Sequence, residues 1–95
     1  MVPITPQDRL HVSPSVLFSQ VGDEAVLLDR DSGVYYALDV VGAMVWAAIV
    51  AGEPLGGIQL TVHRQFSVDL DVIWADLSAL VSDLKAKGLV TALGS

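Results

Sequence analysis

The sequence predicts an α+β domain in which a three-stranded antiparallel sheet is followed by three helices. Three observations predict it. Between residues 15 and 38 lie three short runs rich in β-branched, leucine and aromatic residues, separated only by turn-forming residues. Capped patterns of helical period follow them, and the length of 95 residues suits one domain with a modest single core. Strands that precede the helices, rather than alternate with them, are the mark of an α+β arrangement.

Residues 1–14 hold three of the four prolines and show no periodicity, so they read as an extended arm ahead of a domain at 15–95. The first strand is expected at 15–21, ending at the turn signal Gly22-Asp23, and the second at 25–29. Arg30-Asp31-Ser32-Gly33 supplies a polar turn, with Gly33 free to take positive φ, before a third strand at 34–38. Strands joined by turns this short must be antiparallel neighbours. Period two then sets Val34, Tyr36 and Leu38 toward the helices, with Tyr35 and Ala37 on the other face.

Asp39 is placed to cap a helix at 40–51, in which Val41, Met44, Val45, Ala48 and Ile49 share a side and Gly52, Glu53 and Pro54 give the stop. A weaker second helix is expected at 57–66, where Ile58, Val62 and Phe66 recur every four residues. The third runs over 70–87: Asp69 caps it, Ile73, Leu77, Leu80 and Leu84 form its seam, Lys85 and Lys87 suit its negative end, and Gly88 stops it. Leu89-Val90 is expected to fold back onto the core.

Composition excludes several classes of function. A formal net charge of −6, with five scattered basic residues, opposes binding to phosphate backbones, so no nucleic-acid partner is expected. The absence of cysteine removes disulfides, thiolate nucleophiles and cysteine-based metal sites, and is compatible with a reducing cytoplasm. Residues 1–10 lack the pattern of a secretory signal, and the longest apolar window, 40–51, is far short of a membrane span, so a soluble cytoplasmic protein without a membrane partner is expected. A hydrophobic fraction of 53% and a mean hydropathy of +0.58 are nevertheless high, which leaves apolar surface for a partner.

No residue set announces catalysis. His11 and His63 have no converging carboxylates and read as exposed polar residues. The serines lie in no nucleophile elbow, and Gly52, Gly56 and Gly57 form no phosphate loop. Asp69 and Asp71 belong to the first turn of the third helix, but Asp76 lies mid-helix beside core Leu77, where capping does not account for it. Trp46 and Trp74 read as core residues, although Trp74 is one position after the helical seam and is a candidate flank of a groove. Neither an enzyme activity nor a cofactor is expected.

The third strand is the feature that suggests a function, because a strand at a sheet edge offers backbone donors and acceptors that an extended peptide can complete. Leu28-Asp29, the run from Ser32 to Asp39, Gly42-Ala43-Met44-Val45-Trp46, Phe66-Ser67-Val68-Asp69, Asp76-Leu77, Leu80-Val81, Leu84 and Lys87-Gly88-Leu89-Val90 follow one another in an order that resembles the PqqD-like proteins. These are the RiPP recognition elements, which bind leader peptides of ribosomally made natural products. The resemblance spans about 17–90 and is greatest to the B1 proteins of lasso-peptide biosynthesis, which work with a separate B2 leader peptidase. Asp39, where asparagine is common, and the weak helix start Pro54-Leu55-Gly56-Gly57 depart from the pattern.

The resemblance implies a winged helix-turn-helix-like fold and a leader that adds antiparallel to strand 34–38 and rests against helix 70–87. It implies a non-catalytic role, with the leader region of a precursor and a B2-type peptidase as partners and a cyclase as a further candidate. Val34, Tyr35, Tyr36, Ala37 and Leu38 on the strand, with Val72, Trp74, Asp76, Leu77 and Leu80 on the helix, are then the candidate leader-binding residues. The alternatives are a peptide chaperone of another such pathway, for example that of pyrroloquinoline quinone, a winged-helix DNA-binding regulator, and a homodimer paired through the edge strand.

Overall fold

The computed structural model describes residues 4–92. The chain runs β1 (Leu10–Val12), β2 (Val16–Val21), β3 (Glu24–Asp29), β4 (Tyr35–Leu38), α1 (Val40–Val50), α2 (Leu55–Phe66), α3 (Leu70–Ala86) and β5 (Val90–Ala92). The predicted sheet is the one formed by β2, β3 and β4 in that order, antiparallel throughout, and the three helices follow it as expected.

The β3–β4 turn is built by Asp29 and Gly33. The Asp29 carbonyl accepts from the Gly33 N–H at 2.8 Å while the Asp29 N–H donates to the Val34 carbonyl at 3.0 Å, and Gly33 at φ 72° forms the bulge between them. The nearly buried Asp29 carboxylate accepts from Ser15 Oγ, Ser32 Oγ and the Asp31 N–H, each at 3.0 Å. These bonds, that from Asp31 foremost and that from Ser15 next, hold its pKa below the usual carboxylate value.

Helix α1 begins as the sequence predicts, with Asp39 Oδ1 accepting from the Gly42 N–H at 2.8 Å. Its buried face is different from the expected one. Gly42, Ala43, Val45, Trp46 and Ile49 are buried, whereas Val41 is 37% exposed and Met44 and Ala48 are only half-buried. The helix is apolar on every side, so period alone could not choose the face.

Helix α2 starts two residues earlier than expected, at Leu55, although its N-cap Pro54 makes no side-chain bond. The reason lies in the N-terminal arm: the Leu55 N–H donates to the Asp8 carbonyl at 2.9 Å and the Gly56 N–H to the Pro6 carbonyl at 2.8 Å. Gly56 permits the approach, since a Cβ there would lie 2.8 Å from Pro6 Cβ. Next to these contacts Leu10 is buried, and β1 pairs antiparallel with β5, Leu10 facing Ala92 and Val12 facing Val90. A strand here was not expected from the sequence. Leu89 and Val90 do pack into the core, as predicted.

Helix α3 follows Asp69, which occupies the N-cap position without a side-chain bond. Its buried seam is Ile73, Leu77, Val81 and Leu84, so Val81 takes the place expected for Leu80, which is half-buried on the flank. Trp46 is core, at 3% exposure. Within this framework α1 packs on β3 and β4, α2 on α1 and α3, and α3 on α2 and β5. Helix α3 therefore stands beside β4 without packing closely on it. Among the described residues no helix is long and apolar enough to cross a membrane.

Candidate functional site

The space between β4 and α3 is a cleft of about 620 Å³. Tyr36, Ala37 and Leu38 form one wall and Asp76 and Leu80 the other. The first turn of α1, at Val41 and Gly42, closes one end together with Asp39 and Glu24. Toward the other end Tyr36 reaches across to α3, where its hydroxyl donates to Asp83 Oδ2 at 3.4 Å and its ring lies 5.1 Å from Lys87 Nζ. Burial of the phenol, and then the Asp83 charge, raise the Tyr36 pKa.

The register fixes which backbone groups of β4 face this cleft. Pairing is Leu28 with Tyr35, Leu27 with Tyr36, Val26 with Ala37 and Ala25 with Leu38. The Asp29-to-Val34 bond marks that pair as hydrogen-bonded. Antiparallel ladders alternate, so the Tyr36 and Leu38 backbones bond to β3, and the N–H and C=O of Tyr35 and Ala37 point out of the sheet. The edge therefore presents four groups, two donors and two acceptors, along a strand of four residues.

Of the candidate strand residues, Leu38 is buried and Tyr36 half-buried on the side facing the helices, as period two predicts. Tyr35, at 69% exposure, and Ala37 turn their side chains to the opposite face, and of the two only Ala37 lines the cleft. Val34 is exposed and lies in the bulge just before β4.

On α3, Asp76 and Leu80 come to the cleft, and exposed Val72 lies one turn before Asp76 on the same flank. Leu77 is buried and lines a second, apolar cavity of about 300 Å³ together with Val45, Val62, Phe66 and Ile73. That cavity shares Val41 and Asp76 with the first cleft, so the two are neighbours at one end. Trp74 is not brought to either space: it is half-buried against the core and about 200° of helical turn away from Asp76.

Sequence reasoning missed Glu24, Asp39, Val41 and Gly42 as cleft residues, and Asp83 and Lys87 as partners of Tyr36. The signal for the helix pair was present, because Asp76, Leu80, Asp83 and Lys87 fall on one helical flank. The signal for Val41 and Gly42 was the direct passage from strand to Asp39 cap, which sets the first turn of α1 against the end of β4. His63, in contrast, is tied into structure: its Nδ1 donates to the Val68 carbonyl at 2.6 Å. Among the described residues no three potential ligands converge on a metal site.

A family model described as coenzyme PQQ synthesis protein D (PqqD) matches residues 24–90. No curated protein matches the chain. The solved structure of TbiB1 in complex with the TbiA(beta) leader peptide is similar at 28% identity and a TM-score of 0.81, covering 88% of this chain and 98% of that one. A lasso peptide synthetase B1 complexed with the leader peptide shares the fold, at 24% identity and a TM-score of 0.80, over 87% of this chain and 98% of that one.

Proposed function

The chain belongs to the PqqD family, and from that premise we propose that it binds the leader region of a ribosomally made precursor peptide in lasso-peptide biosynthesis. The leader adds as an antiparallel strand to β4 and is buried against α3. The observation that carries this reading is the open edge of β4 at the mouth of the cleft. The two solved B1 proteins that resemble the chain each hold a leader peptide.

Energetics divide the work between edge and cleft. Four outward backbone groups contribute about 2–6 kcal/mol at about 0.5–1.5 kcal/mol net per bond. Association itself costs an estimated ~4–15 kcal/mol. The edge orients the peptide, and affinity has to come from leader side chains buried at about 1.5–3 kcal/mol each. Leu38, Val41 and Leu80 in the cleft and the apolar cavity behind Val41 give such side chains a place. Val72 extends the same flank of α3, Leu77 is the cavity wall beneath Asp76, Tyr35 and Ala37 serve mainly through their outward backbone groups, and Val34, whose own carbonyl is bonded to Asp29, serves through its place at the head of the strand.

The role is non-catalytic: the module captures the precursor and presents it to a leader peptidase of the B2 type, in the cytoplasm where precursors are made. A chaperone for another peptide pathway would use the same groove. A DNA-binding role is disfavoured by a cleft lined by Glu24, Asp39 and Asp76 and by no basic residue. Fluorescence-polarisation titration with the leader of a precursor encoded beside this gene tests the reading. Saturable binding, absent for a scrambled leader and weakened at least about tenfold by Leu80→Glu or Tyr36→Ala in variants that keep their circular-dichroism spectra, is expected; a tenfold loss is about 1.4 kcal/mol, one buried contact. Equal affinity for leader and scrambled control, or unchanged affinity in both folded variants, would refute it.

A further inference from the structure

The walls of the cleft are unequal in charge along its length. Glu24, Asp39 and Asp76 all lie on its lining, and no lysine, arginine or histidine does. Asp39 spends one oxygen on capping α1, while Glu24 and Asp76 are exposed side chains at the rim. Glu24 and Asp39 flank the register pair Ala25–Leu38, so this acidic zone lies at the C-terminal end of β4. Around Tyr36, nearer the start of β4, Asp83 is accompanied by Lys87 over the ring. The cleft thus carries uncompensated negative charge at its Leu38 end and a mixed pair at its Tyr36 end.

A strand added antiparallel to β4 runs against it, so its N-terminal part lies at the Leu38 end. We infer that the groove selects a leader segment carrying lysine or arginine on the N-terminal side of its strand-forming stretch, held at the rim by Glu24, Asp39 and Asp76. This rests on the proposed strand addition and adds to it the chemistry and the polarity of the ligand. A long basic side chain suits the place physically. Its apolar stem can lie along Val41 and Leu80 while its head reaches the carboxylates. The net charge of −6 also draws a basic peptide toward the protein at a distance, which makes association depend on salt.

The test is a phage-displayed library of random dodecapeptides panned on the full chain, with clones that also bind the Leu80→Glu variant discarded. Groove-dependent clones are expected to carry lysine or arginine N-terminal to their apolar residues. The tightest synthetic peptide from that set should bind the Glu24→Gln/Asp76→Asn double variant about 4- to 25-fold more weakly at low salt, each exposed pair being worth about two- to fivefold at the favourable end of its range. Its affinity for the double variant should also fall less with added sodium chloride than its affinity for the parent. Groove-dependent clones without a basic bias, with basic residues only on the C-terminal side, or with equal affinity for the double variant overturn this inference and leave strand addition standing. A library that yields no clone sensitive to Leu80→Glu overturns both.

Discussion

Two prolines placed one residue apart in β4 should have opposite consequences. Ala37 pairs with Val26 in the non-hydrogen-bonded register, so its N–H points into the cleft; Tyr36 pairs with Leu27 in the hydrogen-bonded register, so its N–H is spent on β3. Ala37→Pro therefore deletes a donor that the folded protein does not use, on an edge strand where proline is tolerated. Its ring also stands in the path of an incoming strand. The loss of one bond at about 0.5–1.5 kcal/mol, and of comparable energy as the displaced peptide loosens its neighbouring bond, gives about 1–3 kcal/mol, or roughly 5- to 150-fold in Kd. Tyr36→Pro instead breaks the ladder to β3 and leaves a carbonyl of Leu27 without its partner, at about 1–3 kcal/mol of stability. Thermal melts followed by circular dichroism, with polarisation titrations of the same leader peptide, separate the two. Ala37→Pro should melt close to the parent and bind poorly, while Tyr36→Pro should melt several degrees lower. An Ala37→Pro protein that is as stable as the parent and binds as tightly would show that the edge of β4 is not the docking strand. An Ala37→Pro protein that fails to fold would show that the register has been misassigned.

Asp29 links stability to pH. Its folded pKa is depressed, so the stability it contributes is fully present above about pH 4, the unfolded value, and is lost as pH falls through the lower folded value; acid titration of the denaturation midpoint should therefore show a shallower decline in Asp29→Asn than in the parent. Gly56→Ala pushes a methyl group to 2.8 Å from Pro6 Cβ and should cost about 1–3 kcal/mol in urea denaturation, as overpacking does. Trp74→Ala should lower the melting temperature through lost packing against the core, yet leave leader affinity of the folded protein within about twofold, the scatter of substitutions away from a site.

The parts of the fold that could be read from the sequence are those whose signals are local. Asp39 caps α1 because its side chain reaches an N–H three residues on, and Gly33 turns the hairpin because the bulge needs positive φ. What escaped depends on partners distant in the chain. The start of α2 is satisfied by carbonyls of Pro6 and Asp8, some fifty residues away, so no capping residue marks it. Strand β1 exists because β5 pairs with it, and a three-residue run has no period of its own. Asp29 reads as the end of a strand; its bonds from Asp31 and Ser32 are local, but the bond from Ser15, which ties the start of β2 to the turn, comes from fourteen residues away. The groove followed the same rule. Asp76 stood out as a carboxylate mid-helix with no structural task, and Tyr36 and Leu38 followed from alternation. The shift of the seam from Leu80 to Val81, which releases Leu80 to the cleft, depends on how α3 is rotated against α2, and two adjacent apolar residues do not declare that rotation.

The pairing of β1 with β5 brings Leu10 beside Ala92, so the first and last described strands lie side by side as neighbours in a ladder. The two strands thus act as a clasp: removal of either strips its partner of its ladder bonds and uncovers Leu10, Leu89 and Val90 together.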